Sequence, residues 1–317
     1  MRVVVLRALK LGDFLTAVPA FRAIRRAFPG SRITLAAPGE LAPLIGLLGG
    51  AIDDLVHARG LAPLPLELHG AGVGINLHGR GPESHRLLLD ARMGRLIAFR
   101  NTAVPESFAG PEHDPNEHEV VRWCRLLQSS GIPADPAELD LSVPPTLVPH
   151  RVRGATLIHP GASSAARCWP VERWIAVARA EVRLKRRVII TGGPAEAGPA
   201  HAIARAAGVA STHVYAGRTN LIELAALVAA SARVVCGDTG VAHLATAYRR
   251  PSVVLFGPTP PSAWGPPPRP YHRVLWSGTT GDPHAQRVDP GLAAISADQV
   301  IAALRGLAAP SGPGSLA

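Results

Sequence analysis

Short β-branched or leucine-rich runs alternate with stretches of helical periodicity along this chain, which argues for parallel βα units. In the first half the apolar runs predict strands near residues 2–7, 32–36, 53–57, 73–78 and 95–99, with helices at 16–28 and 84–92 between them. A further helix over about 117–130 carries Val120, Val121, Cys124 and Leu127 at helical spacing. Residues 131–153 hold Pro133, Pro136, Pro144, Pro145 and Pro149, too proline-rich for a buried connection, and read as a linker. The alternation then restarts with a strand at 155–159. Strands are expected at 187–191, 213–216, 233–236, 252–256 and 273–276, with helices at 171–184, 195–207, 221–230 and around His243. A last helix, 297–307, sets Val300, Ile301, Leu304 and Leu307 on an apolar stripe, and residues 308–317, rich in Pro, Gly and Ser, are expected to fray. The expectation is two doubly wound α/β domains, residues 1–145 and 146–317, facing a cleft with the ligand site at the C-terminal ends of both sheets.

Composition narrows the class. A chain of 317 residues is long enough for about two domains that each bury a core, and 47% hydrophobic residues suit a globular protein. No apolar stretch reaches the roughly 18 residues of a membrane span, and the apolar start after Met1 is too short for a signal peptide, so it reads as a strand. Cys124, Cys168 and Cys236 are odd in number and widely spaced. They fit neither a disulfide framework nor a zinc site, which points to a reducing cytoplasm. Cys236 ends an apolar strand and reads as a packed thiol. His113 and His118 flank Asp114 and Glu117 without metal-ligand spacing, so no metal is expected.

The net charge of +10 raises the question of nucleic acid, but aromatic residues are only 4% of the chain and no basic tract interleaves them. Stacking platforms for single strands are therefore missing, and no nucleic-acid partner is expected. Lysine occurs only at Lys10 and Lys185, so nearly all the positive charge is arginine. Such a surface suits an anionic donor, an acidic glycan or peripheral association with a membrane face.

The most informative stretch is Cys236-Gly237-Asp238-Thr239-Gly240-Val241-Ala242-His243-Leu244-Ala245, a strand end running into a helix start. Free backbone N–H groups and the helix dipole make such a junction a site for an anion, typically phosphate. Gly240 permits close approach, Thr239 adds a hydroxyl, and His243 lies one turn on. An ordinary cap by Asp238 or Thr239 is the alternative.

Two further segments accompany it: His159-Pro160-Gly161-Ala162-Ser163-Ser164 with Arg167 before Trp169-Pro170, and Val253-Val254-Leu255-Phe256-Gly257-Pro258-Thr259-Pro260 with Trp264-Gly265-Pro266 behind it. At the start, Val3-Val4-Val5-Leu6-Arg7 precedes Leu11-Gly12-Asp13 and Thr16-Ala17-Val18-Pro19-Ala20. Together these resemble glycosyltransferase family 9, the heptosyltransferases, over residues 1 to about 305, loosely between about 40 and 150. The resemblance implies the two-domain GT-B fold, with the first domain binding the acceptor, the second binding a nucleotide sugar, and the tail helix packing back on the first domain.

It also implies roles. Asp13, directly after the first strand, would be the catalytic base, helped to ionise by the helix start, where a plain cap of the helix from Phe14 is the other reading. Arg167 stands where the family usually carries lysine, and would stabilise the leaving diphosphate with Ser163, Ser164, Asp238, Thr239, Gly240 and His243. Glu196 would hold the donor ribose and Thr219 would lie near the base, while Gly12, His78 and Arg80 fall where the family meets its acceptor. The implied activity is inverting transfer of heptose from ADP-heptose, an ADP-linked nucleotide-sugar donor, to an acceptor hydroxyl of a glycan, a lipid-linked or a small molecule, with no cofactor. A nucleotide-sugar epimerase and a non-catalytic nucleotide-sugar-binding protein are the alternatives.

Overall fold

Strand β1 (Arg2–Leu6) has Val3, Val4, Val5 and Leu6 buried in the computed structural model, which describes residues 1–308. A strand apolar on both faces is what the centre of a parallel sheet covered on both sides requires. Helices α1 (Leu11–Thr16) and α2 (Val18–Ala27) follow, then β2 (Arg32–Ala37), β3 (Asp54–His57), β4 (Val73–Asn76), α3 (Glu83–Asp90), β5 (Arg95–Ile97) and α4 (Glu119–Gln128). The five strands are parallel, in the order β3-β2-β1-β4-β5. The order reverses between β1 and β4, so the loops leaving those two strands open at a topological switch point, the usual ligand position in such sheets.

The pattern repeats in the second half. Strand β6 (Thr156–His159) leads to α5 (Val171–Arg183), β7 (Val188–Ile190), α6 (Ala197–Ala207), α7 (Leu221–Ala230), β8 (Arg233–Gly237), α8 (Gly240–Ala247) and β9 (Ser252–Leu255). Then come α9 (Pro261–Trp264), β10 (His272–Leu275), α10 (Pro290–Ala294) and α11 (Ala297–Arg305). These strands are also parallel, in the order β10-β9-β8-β6-β7, with the switch point between β6 and β8. The chain divides into two compact units, Met1–Ser142 and Val143–Ala317, and residues 131–155 contain no helix or strand. In the second unit the fully buried Trp174 meets Trp169 edge-on at 4.9 Å, within a core that includes Val177, Ile190 and Ile203. Truncating such an aromatic to alanine costs about 3–5 kcal/mol.

Two elements differ from expectation. The helix anticipated at 16–28 starts earlier and is broken at Ala17: Pro19 has no N–H to continue the ladder, so α1 closes on the Ala17 N–H to Phe14 bond and α2 starts anew. Asp13 therefore lies in the first turn of α1, not in a loop before a helix. The strand anticipated at 213–216 shrinks to a single bridge between Ile190 and Val214, because Ser211–His213 tightens into a 3-10 turn and Gly217 leaves at φ +70°. The last helix packs on α5 and β9, where Val300 and Leu304 complete the core around Trp174. The fraying expected at 308–317 falls, but for residue 308, outside the described residues. Among the described residues no helix is long and apolar enough to cross a membrane.

Candidate functional site

The carboxyl ends of β1 and β4 are tied together by one buried cation. Arg7, the residue after β1, is 1% exposed. Its guanidinium donates to the Asp13 carbonyl at 2.5 Å, the Leu77 carbonyl, Thr16 Oγ1 at 3.0 Å and Glu119 Oε1 at 3.1 Å, and lies 4.7 Å above the Trp123 ring. Glu119 accepts Trp123 Nε1 at 2.8 Å and pairs with Arg122 as well. Burial would lift the Glu119 carboxyl, but the Arg7 and Arg122 charges and the bonds from Arg7 and Trp123 hold it below the usual carboxylate range. The charge is thus retained inside the protein by its partners, as a buried carboxylate requires.

This frame sets Asp13 beside the loop after β4. Asp13 is pushed above the usual carboxylate range, first by burial and then by Glu119, against the lowering pull of Arg7 and two backbone hydrogen bonds. The expectation that the helix start would favour the ionised form is thereby reversed: loss of water around the carboxyl outweighs the backbone N–H groups. Gly12 sits one residue earlier in the same turn. Across from it, His78 is pushed down to about 4 by burial and then by Arg7, and its Nδ1 is buried without a partner. It is therefore a neutral imidazole at pH 7. Asn76, fully buried at the end of β4, shapes this loop by accepting the His78 N–H at 2.9 Å and donating to Ser84 at 2.9 Å. Arg80 is exposed two residues on, its carbonyl held by Asn101 at 3.0 Å.

At the carboxyl ends of β6 and β8, the three segments singled out in the sequence come together. Arg167 Nη2 reaches the Asp238 carboxylate at 3.0 Å and also its carbonyl, while Nη1 lies 3.4 Å from Ser163 Oγ and Nε is buried without a partner. Arg167, expected to stabilise a leaving diphosphate, is thus also paired with a nearly buried carboxylate through a charge-assisted bond. Ser164 also differs from a free donor: its hydroxyl is given to the Pro283 carbonyl at 2.5 Å. Thr239 stands at the N-cap of α8 in extended conformation without capping through its side chain. Burial, with Asp238, pushes the Cys236 thiol well up, in keeping with a packed thiol; the Thr239 hydroxyl eases that shift. Thr239 Oγ1 is buried with no partner of hydrogen-bond geometry, the neighbouring thiol being a weak one. Gly240 opens the helix, and His243 packs edge-on against Trp264 with ring centres 6.2 Å apart.

Glu196 occupies the neighbouring corner, in a 3-10 turn ahead of α6. Its Oε2 accepts the Gly193 N–H at 2.5 Å, and its carboxylate lies where a side chain on Gly161 would be, 1.8 Å from an added Cβ. The loop of Gly217 and Thr219 lies on the same turn: a Cβ at Gly217 would come within 3.1 Å of Pro194. His159 below it is buried, held neutral by burial despite the Glu196 charge, and bonded to Thr191 Oγ1 at 3.0 Å. Arg7, Glu119 and Trp123 escaped the sequence reading, and an arginine directly after an apolar strand was the one signal of them. Asp289 was missed too: it is buried, caps α10 through Leu292 N at 2.9 Å, and its N–H bonds the Ala166 carbonyl beside Arg167. The Asp-Pro pair that starts that helix was its signal. Among the described residues no group of three or more His, Cys, Asp or Glu could hold a metal ion.

Two doubly wound parallel α/β units in one chain, each with its polar residues gathered at the strand ends of its switch point, define a protein of the GT-B fold. The sequence profile of glycosyltransferase family 9 (heptosyltransferase) matches residues 101–290, and the chain belongs to that family. Solved structures share the fold over 96% of the chain. The family 9 glycosyl transferase from Veillonella parvula superposes with a TM-score of 0.76 at 20% identity, over 96% of each chain. E. coli heptosyltransferase WaaC with ADP gives 0.72 at 19% identity, over 96% of this chain and 99% of that one. Lipooligosaccharide heptosyltransferase 2 of Haemophilus influenzae is 48% identical over 46 residues, a stretch spanning 14% of this chain and 13% of that protein.

Proposed function

We propose that the protein is an inverting glycosyltransferase that moves heptose from ADP-heptose to an acceptor hydroxyl, with Asp13 as the general base. The observation that carries this reading is the environment of Asp13, a carboxyl shielded from water at the switch point of the first sheet and raised in pKa by that shielding. A base strengthened toward the operating pH is more effective at taking a proton. As the acceptor oxygen bonds to the anomeric carbon from one face, the bond from that carbon to the diphosphate oxygen breaks on the other. The hydroxyl proton passes to Asp13, and ADP departs. Neutral His78 and exposed Arg80 are assigned to orienting the acceptor.

The second unit's residues are assigned to the donor. The amide end of α8 at Thr239 and Gly240 receives the diphosphate, aided by the unpartnered Thr239 hydroxyl and by Arg167. Asp238 holds Arg167 in place and offsets its charge, so the backbone amides take the larger share of the leaving-group charge. Glu196 accepts ribose hydroxyls through Oε1, the oxygen not occupied by Gly193. His243 and Trp264 wall the sugar side. ADP is the nucleotide we assign, since the E. coli relative of like fold was solved with it.

The test is calorimetric titration with ADP, UDP, GDP and dTDP. ADP should be preferred, and Arg167→Ala should weaken it by about tenfold or more, as loss of a charged hydrogen bond implies. Asp13→Asn should bind ADP as the wild type does while transfer is abolished. Near-full transfer by that variant would overturn the role of Asp13, and an epimerised sugar nucleotide formed without acceptor would replace the reading by an epimerase.

A further inference from the structure

The amino-terminal edges of the two sheets, opposite the ends just described, differ sharply in charge. In the first unit Arg25 and Arg32 are paired with Asp53 and Asp54, while Arg2, which donates to the Glu67 and His69 carbonyls, and Arg95 stay exposed. In the second unit the segments that enter β6, β7 and β10 carry Arg151, Arg153, Arg183, Lys185, Arg187 and Arg269, all exposed. Because those strands are parallel, all six lie at one edge of the sheet. Glu181 is the one carboxylate in these segments; it is buried, and is consumed by Arg186 at 2.8 Å and Thr156 at 2.6 Å. Arg151 and Arg187 donate to neutral groups, the Tyr215 hydroxyl and the His150 carbonyl, so their charge stands.

Apolar side chains protrude from the same edge. Leu184, between Arg183 and Lys185, is 46% exposed, and Leu147 is 92% exposed. Leu147 borders a cavity of about 550 Å³ between residues 143–148 and the end of α7, with Pro144, Val148, Ala229, Arg153 and Arg250 among its walls. Two leucines set among six cations, beside an apolar slot, match a surface that is negative at the phosphate level and apolar beneath. They do not match single-stranded nucleic acid, which needs protruding aromatic rings.

We propose that this edge of the second unit docks the protein on an anionic phospholipid bilayer, with the cations against the phosphates and Leu147 and Leu184 entering the interface. The proposal stands independently of the sugar transfer. The test is co-sedimentation of the full-length protein with phosphatidylglycerol–phosphatidylcholine vesicles and with phosphatidylcholine alone, at low and at high salt. Binding is expected to the anionic vesicles at low salt and to fall with salt. Each cation near the surface contributes about fivefold, so Arg153→Gln with Lys185→Gln and Arg187→Gln should weaken binding about 100-fold. Leu147→Ser with Leu184→Ser should weaken it at unchanged charge. The comparison variant, Arg59→Gln with Arg86→Gln and Arg95→Gln in the first unit, removes equal charge and should bind as the wild type does. An unchanged urea midpoint in each variant establishes that the fold is intact. Equal binding to both vesicle types, an equal loss in the first-unit variant, or displacement from vesicles by duplex DNA at far lower phosphate concentration would each overturn the proposal.

Discussion

The network under Asp13 makes Glu119→Gln the most informative substitution. Arg7 and Glu119 are 1% and 4% exposed and 3.1 Å apart. Removing one partner of such a buried pair costs about 3–5 kcal/mol. Gln retains the shape and one acceptor for Trp123 Nε1, while Arg7 keeps the Asp13 and Leu77 carbonyls, Thr16 and the Trp123 face. The amide NH₂ would, however, oppose Arg122. Because most of the Arg7 contacts survive, we expect a cost just below that range, about 2–3 kcal/mol. With a urea slope of about 2 kcal/mol/M, the midpoint of the first unit should fall by about 1–1.5 M. Trp123, the one tryptophan of that unit, reports it, and the other four report a second-unit transition that should stay in place.

The same variant separates a structural role from a positioning one. Glu119 raises the Asp13 carboxyl and Arg7 lowers it. Without the Glu119 charge, Asp13 ionises more easily, so the acid limb of the transfer rate should move to lower pH. A network that merely holds the fold would cost stability and leave that limb in place. A stability loss below about 0.5 kcal/mol, or an acid limb moved to higher pH, would refute the reasoning.

Two other outcomes are expected. Gly161→Ala places a methyl 1.8 Å from Glu196 Oε1, so the carboxylate must turn away; ADP affinity should drop at least about tenfold while the urea midpoint of the second unit moves by about 1–3 kcal/mol equivalent, and unchanged ADP affinity would remove Glu196 from the site. His78 and His272 are both pushed from 6.5 down to about 4, so the unfolded chain takes up protons first. Their contribution is whole above the unfolded value and is lost as pH falls from about 6.5 to about 4, on the order of 2–3 kcal/mol each. Urea midpoints that stay flat across that window would contradict their burial, and His272→Gln should remove part of the slope.

Much of this architecture was readable because it depends on local rules. Strands buried on both faces must be continuously apolar, and helices must show their period, so β1, β2, β6, β8 and β9 stand out from the chain as written. Where a proline or a glycine acts through a neighbouring turn, boundaries move: Pro19 splits the first helix, and Gly217 stops a strand after one bridge. The site residues that could be seen were those at strand-to-helix junctions, because a polar residue after an apolar run is visible in itself. That is why Asp13, Asp238 and Thr239 could be marked one by one.

What each charged group does there is a different matter, because its partners are distant in sequence. Arg167 meets Asp238 across 71 residues, which converts an apparent anion fork into an internal pair. Arg7 meets Glu119 across 112 residues, and neither position looks chemical in isolation. Asp13 makes the point most directly. Local geometry alone, a carboxyl in the first turn of a helix, argues for easier ionisation, and the protein delivers the reverse because burial outweighs the nearby amides. A carboxyl of raised pKa is therefore built here by the packing of β1, β4 and α4 around one residue, and the strength of the proposed base should respond to changes in α4 as surely as to changes beside it.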